Sequence, residues 1–534
     1  MQAAPPKLNY LFPAGAQRGA EVTVTAQGDF AIWPVQAWVD RPGVSIKADA
    51  EKGKLRIVVD KTAPPGVCWV RLFDAAGASS LRPFVIDQVP EAAEVEPNDA
   101  PDKGQVVALP HIINGRLGKA GDVDAFAVTL KQGETLVASV RAHSVLGSPL
   151  DGALQICELR ERKFSSIAGS PTRLEAFVLE QNNDTFGLDP QVALTAPRDG
   201  TYLVRVFAFS AEPNSSINYA GGDNYIYRLM LTTGGLVEYA LPVSAAADVM
   251  HLFGTGLAAP GVPGERTTPA AGAVVHLFAD GVAGTAVLPT ADKALLARAG
   301  EPQPISVERP VTIAGQLAVP GESHAFRLSA KKGQAIDVRL QSRSLGLPLD
   351  AVLKVEDAAG KTLQQVDDVA KRADPSLTFT AAADGDYLLR VRDLHRRGGP
   401  RFAYWLSVQA TTPRFTLALA ADNITIAPGK TVEVPVTVDR QGGHKAEIAV
   451  TAIGESGALP PGISIAPATS AATGDTAKAV KLVLTAAADA PPGGFCMRIV
   501  GRVADVPGET YAQLPSTFPL TTPPAAPWLT IAPP

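Results

Sequence analysis

Four short sequence patterns of this chain occur twice, in the same order along the sequence. The paired segments are Gly115–Leu117 with Gly315–Leu317, Gly121–Phe126 with Gly321–Phe326, Leu146–Asp151 with Leu345–Asp350, and Asp199–Val206 with Asp384–Val391. An internal repeat of this kind predicts an array of similar modules. Such arrays are typical of proteins that bind, space or display a partner, and they are less typical of enzymes.

The repeated segments alternate apolar and polar residues, which is the pattern of a half-buried strand. In the first copy Phe126, Val128 and Leu130 share one face, and the matching segment of the second copy keeps the same phase. Charged residues make up 19% of the chain, which contains 48 Gly and 45 Pro, as expected for short strands joined by tight turns. Because 534 residues are too many for one core, we predict an all-β fold, a tandem array of five β-sandwich domains.

The domain boundaries are predicted where strand patterns give way to Pro- and Gly-rich turns. The predicted units are a sandwich at 6–89, the first copy at 90–234, a short β domain at 235–302, the second copy at 303–411, a sandwich at 412–522 and an extended Pro-rich tail at 523–534. Within the third unit, Ala258–Gly264 is interpreted as a loop and Asp292–Arg298 as one short helix.

Three motifs of the first copy resemble a known family. Glu94-Val-Glu-Pro-Asn-Asp99, Gly121-Asp-Val-Asp-Ala-Phe126 and Asp199-Gly-Thr-Tyr202 occur in the order found in the bacterial pre-peptidase C-terminal (PPC) domain. That family is a β-sandwich module of secreted proteins, often found beside proteases, and is similar in fold to the collagen-binding module of secreted bacterial collagenases. The resemblance covers 90–234, and is less complete for 303–411, where the Glu-Pro-Asn-Asp motif is absent.

The flanking units resemble other sandwich families. The opening Leu8–Pro13 is similar to the first strand of an immunoglobulin-like domain of the IPT/TIG kind, and Gly235–Pro242 repeats it in the short third unit. The strands and Pro-Pro-Gly turns of 412–522 resemble an immunoglobulin or fibronectin-type sandwich.

Carboxylates are concentrated around two motifs of the first copy. Calcium takes about six to eight oxygen ligands in flexible geometry. Alternate side chains of an extended, Pro-containing segment can converge on one ion, and two Asp residues two positions apart point to the same side. The PPC resemblance implies a calcium site between these motifs. Its candidate ligands are Glu94, Glu96, Asn98, Asp99, Asp122 and Asp124.

The acidic segment also fits a second interpretation. Acidic residues before a domain commonly form a solvated linker, and Glu-Pro-Asn-Asp favours a turn. The second copy has Glu322-Ser-His324 where the first has Asp122-Val-Asp124, and no carboxylate cluster precedes it in the sequence. We therefore predict Ca²⁺ as a ligand of the first copy only.

Three aromatic residues are candidates for contact with a ligand. Phe207, Phe209 and Trp405 fall out of phase with the core residues of their strands, which predicts that they lie on an outer sheet face. Aromatic side chains there can stack on sugars or pack on a partner protein. The alternative is that they are buried against a neighbouring domain of the array.

Composition and motifs exclude several functional classes. The net charge is −5 and Lys and Arg are not clustered, so nucleic acid is not an expected partner. None of the seven histidines lies in a His-Glu-x-x-His motif, and nucleophile-elbow and phosphate-loop motifs are absent, so we predict a non-enzyme. The sequence contains no run of 18 apolar residues, which predicts no transmembrane segment.

Together these features predict an exported protein of the periplasm, cell surface or extracellular space. Gln2–Ala4 followed by two prolines is typical of a mature chain from which a signal peptide has been removed. The function expected is adhesion-like binding or scaffolding, with calcium stiffening the joint after the first domain and an extracellular protein or polysaccharide as partner. The alternative is a polysaccharide- or protein-binding accessory module of a secreted hydrolase.

Overall fold

The computed structural model describes residues 3–163, 172–210, 219–241, 251–257, 262–263, 265–266, 274–279, 281–289, 294–367, 374–516, 518 and 524–533. Throughout these ranges the chain is nearly all β, which confirms the predicted fold class. Two compact units are formed: residues 1–63, 67–85 and 412–534 make up the first, and residues 64–66 and 86–411 the second.

The N-terminal sandwich belongs to the first unit. Its strands are Lys7–Phe12 (β1), Gly15–Gln17 (β2), Glu21–Asp29 (β3), Gln36–Val39 (β4), Val44–Ala48 (β5), Lys54–Val59 (β6), Gly66–Asp74 (β7), Gly77–Ala78 (β8) and Arg82–Asp87 (β9). One sheet has the order β1-β3-β6-β5 and the other β2-β9-β7-β4, with β8 paired to β7. Leu55, Ile57 and Val59 of β6 are buried, as the alternation of apolar residues predicts.

The first repeat copy folds as two facing sheets. Its elements are Glu91–Ala93 (β10), Gln105–Val106 (β11), His111–Arg116 (β12), Asp124–Leu130 (β13), Thr135–Arg141 (β14), the helix His143–Leu146 (α1), Gly152–Lys163 (β15), Thr172–Asn182 (β16), Gln191–Thr195 (β17), Gly200–Phe209 (β18), Tyr219–Ala220 (β19) and Ile226–Thr232 (β20). The sheet orders are β10-β12-β20-β14-β17 and β11-β13-β18-β15-β16, with β19 paired to β18. Phe126, Tyr202 and Tyr227 lie in the core between them.

Short strands connect the two copies. They are Tyr239–Leu241 (β21), His251–Phe253 (β22), Val262–Pro263 (β23), Glu265–Arg266 (β24), Val274–Phe278 (β25) and Ala286–Pro289 (β26). They form two small sheets, with the orders β21-β22-β23 and β24-β25-β26. The predicted loop at 258–264 lies largely outside the described residues.

The second copy begins its sheet earlier than its predicted boundary at 303. Its elements are Ala294–Leu296 (β27), Gln303–Ile305 (β28), Val311–Gln316 (β29), Ser323–Ala330 (β30), Ala335–Gln341 (β31), the 3-10 helix Arg343–Leu345, Ala351–Asp357 (β32), Thr362–Val366 (β33), Ser376–Thr380 (β34), Gly385–Asp393 (β35) and Ala403–Ala410 (β36). The helix predicted at 292–298 was wrong, because Ala294–Leu296 pairs as a parallel strand with β29.

The two copies have the same sheet orders, element by element. The second copy has β27-β29-β36-β31-β34 and β28-β30-β35-β32-β33. Their registers also match, since Gly115 faces Tyr227 in the first copy and Gly315 faces Tyr404 in the second. The first copy differs in its long hairpin β15–β16, whose strands have 12 and 11 residues, against 7 and 5 for β32 and β33 of the second copy.

The C-terminal sandwich completes the first unit. Its strands are Arg414–Leu419 (β37), Asn423–Ile426 (β38), Thr431–Gln441 (β39), Ile448–Gly454 (β40), Ile463–Ala466 (β41), Ala468–Ser470 (β42), Ala479–Ala486 (β43), Gly493–Arg502 (β44), Thr510–Gln513 (β45) and Trp528–Ile531 (β46). The segment predicted as a tail therefore contributes a buried strand, which pairs with β38 and β44.

The N-terminal and C-terminal sandwiches share one hydrophobic core. Trp69 and Leu81 of the first belong to the same buried cluster as the core residues of the last. The buried Arg71 guanidinium pairs with Asp422 at 3.0 Å and lies 6.0 Å from the ring centre of Trp528. Thus the two ends of the sequence fold together as one unit.

Candidate calcium site

The acidic segment of the first copy is anchored at its base by backbone pairing and by one glutamine. Strand β10 pairs in parallel with β12, and the backbone N–H of Glu94 continues this pairing by donating to the Asn114 carbonyl at 3.0 Å. The Gln105 side chain accepts from the Val95 N–H at 2.8 Å and donates to the Ala93 carbonyl at 3.4 Å. Residues 96–104 therefore form a closed loop, which we call the acidic loop.

Four carboxylates converge between this loop and the start of β13. Glu96, Asp99, Asp122 and Asp124 each offer an oxygen within 4.8 Å of those of the others. Asp122 and Asp124 are buried, at 2% and 0% exposure. Hence two carboxylates come from the acidic loop, one from the turn before β13 and one from the first residue of β13, a combination suited to a cation with flexible coordination.

Local contacts fix the two buried carboxylates. Asp122 accepts from the Gly118 N–H at 2.5 Å, and Asp124 accepts from the Tyr227 hydroxyl at 2.5 Å. The Tyr227 ring can approach because Gly115 has no side chain: a Cβ there would lie 2.2 Å from Tyr227 Cζ. The facing pair of Gly115 and Tyr227 thus directs the phenol toward the candidate site.

Several polar atoms of the cluster are buried without a hydrogen-bond partner. They are Asp99 Oδ1, Asp122 Oδ1, Asp124 Oδ1 and both side-chain polar atoms of Asn98. Asn98 itself is fully buried. Buried polar groups in folded proteins are almost always paired, so these atoms have the capacity to bind an ion and its water ligands.

Burial and mutual repulsion strongly perturb the carboxyl groups. Burial, together with the nearby Glu94 charge, raises the pKa of Asp124 to about 9. Burial likewise raises the pKa of Glu94 to about 7 and raises the pKa of Asp122. The Lys119 ammonium lies 3.6 Å from Asp99 and 3.8 Å from Asp122, where it is largely exposed. The cluster therefore favours either protons or a bound cation.

The predicted ligands do not all occupy equivalent places. Glu94 lies behind the four-carboxylate group, where both its oxygens accept from the Arg116 N–H at 2.9 Å. Asn98 is buried within the acidic loop, and its N–H donates to Glu96 at 2.9 Å. Glu94 is thus placed to shape the site from behind the four-carboxylate group.

The sequence analysis did not identify Tyr227, or Gln105 with the hydrogen bonds by which it closes the acidic loop. A signal for Tyr227 existed, because Tyr404 repeats it in the second copy, opposite a repeated glycine.

The same corner of the second copy contains an imidazole. His324 occupies the position of Asp124, with Nδ1 2.7 Å from the Tyr404 hydroxyl and Nε2 3.2 Å from Glu322. Ala297 takes the place of Glu94, and its N–H donates to the Ala314 carbonyl. The Gln303 side chain closes the following loop with two hydrogen bonds, as Gln105 does in the first copy. This loop, from Arg298 to Gln303, is five residues shorter than the loop from Val95 to Gln105. That this copy binds no calcium stays a prediction.

The aromatic candidates differ in their exposure. Trp405 is buried against residues of the connecting strands, including Val237 and Leu277, and Phe207 is buried against Tyr219. Neighbouring parts of the chain therefore cover both Trp405 and Phe207 in this structure. Phe209 is 38% exposed and remains accessible.

The fold defines a protein of tandem β-sandwiches, and one sandwich has a family assignment. Residues 322–393, within the second copy, match the family model of the Bacterial pre-peptidase C-terminal domain. The match falls on the copy for which the sequence motifs were less complete. The first copy shares its strand order with this domain.

A curated relative is a probable subtilase-type serine protease of Deinococcus radiodurans. It is 30% identical over 174 residues, which are 31% of this chain and 20% of the relative. The chain therefore spans about a fifth of the length of that relative. No helix in the described part of the chain has the length and apolar character needed to cross a membrane.

Two solved structures share limited similarity with this chain. A periplasmic inhibitor of g-type lysozyme from Aeromonas hydrophila is 15% identical, with 22% of this chain and 99% of that chain covered and a TM-score of 0.17. A putative membrane anchored protein from Corynebacterium diphtheriae is 10% identical, with 96% and 97% covered and a TM-score of 0.15. These scores are too low to support a functional comparison.

Proposed function

We propose that this chain is a non-catalytic, exported accessory protein whose first repeat copy binds one calcium ion. The observation that supports the ion most directly is the convergence of four carboxylates within 4.8 Å, three of which retain buried oxygens without a hydrogen bond. Calcium prefers carboxylate and amide oxygens, which this site supplies from Glu96, Asn98, Asp99, Asp122 and Asp124.

The ion would connect two parts of the first copy. Glu96 and Asp99 belong to the acidic loop, whereas Asp122 lies two residues before β13 and Asp124 is its first residue. A cation shared by both would replace carboxylate repulsion with common ligands and fix the loop against the sandwich. Its role in this proposal is structural: it stiffens the segment through which the chain enters the first copy.

The accessory role is supported by the family match and the relative. Residues 322–393 match the PPC family model, and the relative that shares sequence with part of this chain is named a probable subtilase-type serine protease. Under this proposal the chain presents or spaces a binding surface in the exported compartment and performs no hydrolysis itself.

Calorimetric titration of the chelated whole protein with calcium tests the proposal. The wild type should show one saturable binding event. Glu96→Gln and Asp124→Asn should each weaken calcium affinity at least about tenfold, because each removes one charged ligand from a shared ion. Asn at position 124 can still accept a hydrogen bond from the Tyr227 hydroxyl. A loss of calcium binding in this variant is therefore caused by the loss of the carboxylate charge.

Glu322→Gln provides the matched control, since Glu322 occupies the position of Asp122 in the second copy. The calcium affinity of this variant should equal that of the wild type. No binding heat in the wild type, together with a melting temperature that calcium leaves unchanged, would reduce the acidic loop to an ordinary solvated segment.

A second candidate function is recognition of polysaccharide by the first copy. Phe209 supports it, because its ring is 38% exposed and is held edge-on by Phe207 at 6.0 Å. Sugars stack on such rings. Retention of the chain on insoluble polysaccharides, lost in Phe209→Ala, would favour this function, and equal retention of the variant would exclude this residue as the contact.

A further inference from the structure

The connecting strands lie between corresponding faces of the two copies. We define the connector as the described residues from Gly235 to Pro289. On the first copy, Leu236 and Ala283 of the connector pack in one buried cluster with Ile112, Val137 and Met230. A Cβ at Gly256 would lie 2.7 Å from Val137 Cγ2, so the connector backbone touches this sheet directly.

The opposite side of the connector packs on the second copy in the same way. The connector residues of this cluster are Val237, Ala240, Leu252, Leu277, Ala279 and Ala286. They bury Ala314 and Trp405, which are a facing pair of β29 and β36. Ile112 and Met230 are a facing pair of β12 and β20, the corresponding strands of the first copy. Both copies therefore use the same sheet to contact the connector.

One buried carboxylate joins all three parts. The side chain of Glu238 in the connector is fully buried. Its Oε1 accepts from Gln191 of the first copy at 2.6 Å and from Thr255 of the connector at 2.6 Å. Its Oε2 lies 2.5 Å from Nε of Arg401 in the second copy. The hydrogen bonds of Oε1 and the ion pair of Oε2 are therefore present together only when the three parts are assembled.

A stacked trio of side chains joins the copies to each other beside Glu238. Two guanidinium groups lie over the Phe186 ring of the first copy, with Arg141 Cζ 3.6 Å and Arg401 Cζ 4.4 Å from its centre. Phe186 is 7% exposed, so these contacts are shielded from solvent. Cation–π contacts strengthen when desolvated, which makes the trio sensitive to separation of the copies.

From this arrangement we infer that Glu238 and the Arg141–Phe186–Arg401 stack couple the folding of the two copies, so that they unfold as one cooperative body with the connector. Separating either copy would break contacts of the Glu238 carboxylate with Gln191 or with Arg401 and would expose apolar connector residues, and both changes cost free energy. Tandem modules joined by exposed linkers would instead open independently.

Pulse-labelling hydrogen exchange of the whole protein in increasing urea tests the coupling. Peptides from β18 report on the first copy and peptides from β35 on the second. In the wild type we expect their unfolding midpoints to agree within about 0.2 M urea. In Arg401→Ala the two midpoints should separate by about 1 M or more, because the contact between copies and the ion pair are lost together.

Arg390→Ala is the matched control. Arg390 pairs with the buried Glu356 at 2.7 Å, but both residues lie within the second copy. This change should move both midpoints together. Phe186→Leu, which preserves apolar volume while removing the stack, gives an independent variant should Arg401→Ala fail to fold. Different midpoints in the wild type, or equal separation in Arg390→Ala, would overturn the inference.

Discussion

The two sandwich copies share a frame but differ in the chemistry of one corner. In the first copy that corner holds Asp122 and Asp124 beside the acidic loop, and in the second it holds Glu322 and His324. The Gly–Tyr pair behind the corner is the same in both. The same strand arrangement therefore holds either two aspartates or a glutamate and a histidine. This indicates that the backbone and the tyrosine position these side chains, whereas the charge at the site can differ between the copies.

A second comparison shows when a buried carboxylate needs no ion. Asp189 is fully buried in the first copy, yet it accepts from the N–H groups of Ala142, His143 and Ser144 at 2.7–3.1 Å. Asp124 has a single hydroxyl donor and one unpaired oxygen. The oxygens of Asp189 are therefore occupied by hydrogen-bond donors, whereas Asp124 keeps a buried oxygen that is available to a cation or a proton.

The largest predicted effect concerns the part of the frame that both copies keep. Asp374 repeats Asp189 by accepting from the N–H groups of Ser342, Arg343 and Ser344 at 2.8–3.0 Å. Asp189→Ala should cost about 3 kcal/mol of unfolding free energy, because buried donors lose their partner. Asp374→Ala should cost about half as much, since water reaches its more exposed donors. Equal costs in urea unfolding would show that burial does not decide the difference.

The next largest predicted effect is the stabilisation of the protein by calcium, which should depend on the first copy and not on the second. At a free concentration of about 100 times the wild-type Kd, calcium should add about 2.7 kcal/mol to the stability of the protein. Thermal unfolding should show this gain in the wild type and in His324→Gln, and the gain should be at least about 1.3 kcal/mol smaller in Asp124→Asn. A calcium-dependent gain that depends on His324 would break the comparison, because the second copy would then also respond to the ion.

The Gly–Tyr pair provides a third test. A Cβ at Gly115 or Gly315 would lie 2.2 Å from the facing tyrosine ring, so Gly115→Ala and Gly315→Ala should each cost about 2 kcal/mol by overpacking. Only Gly115→Ala should also weaken calcium binding, because it displaces the hydroxyl that holds Asp124. Calorimetric titration of both variants with calcium distinguishes the packing role of the Gly–Tyr pair, which both copies share, from its role in holding Asp124 in the first copy. Equal calcium affinities of the two variants would contradict the second role.

The two copies should also differ in the pH dependence of their stability when the protein is chelated, and the two responses should have opposite signs. Burial and the Glu94 charge raise the pKa of Asp124 from its ordinary 3.8 to about 9, so its contribution to stability is lost as pH rises across that window. Burial lowers the pKa of His324 below its ordinary 6.5, although Glu322 beside it acts in the opposite direction, so its contribution is lost as pH falls below 6.5.

Melting temperatures measured from pH 5 to pH 9 check these signs. Asp124→Asn should remove the loss at high pH, and His324→Gln should remove the loss at low pH. Unchanged pH profiles in both variants would mean that neither corner titrates in this range.

The strands of the two copies could be predicted from the sequence because strand periodicity and repeated motifs are local signals. The strand at Lys54–Val59 and the paired strands of both copies follow from alternation alone. The helix expected at 292–298 illustrates the limit, because Leu295 and Leu296 suit a helix but pair in parallel with β29. Tertiary pairing overrode the local preference there.

Other features depended on contacts between distant residues. Trp528 belongs to a Pro-rich segment, and its burial against Phe73 at 4.6 Å between ring centres has no local signature. In the candidate site, acidic composition identified the segment, but which carboxylates converge depends on how the loop folds. Glu94, for example, turns toward the Arg116 N–H instead of joining the four.

An anomalous difference map from crystals grown with calcium, recorded at long wavelength, tests the contrast between the copies most directly. The predicted result is one strong peak among Glu96, Asp99, Asp122 and Asp124, with none beside Glu322 and His324. A map without a peak at the first corner, or with an equal peak at the second, would contradict the proposal that a cation replaces hydrogen-bond donors in the first copy alone.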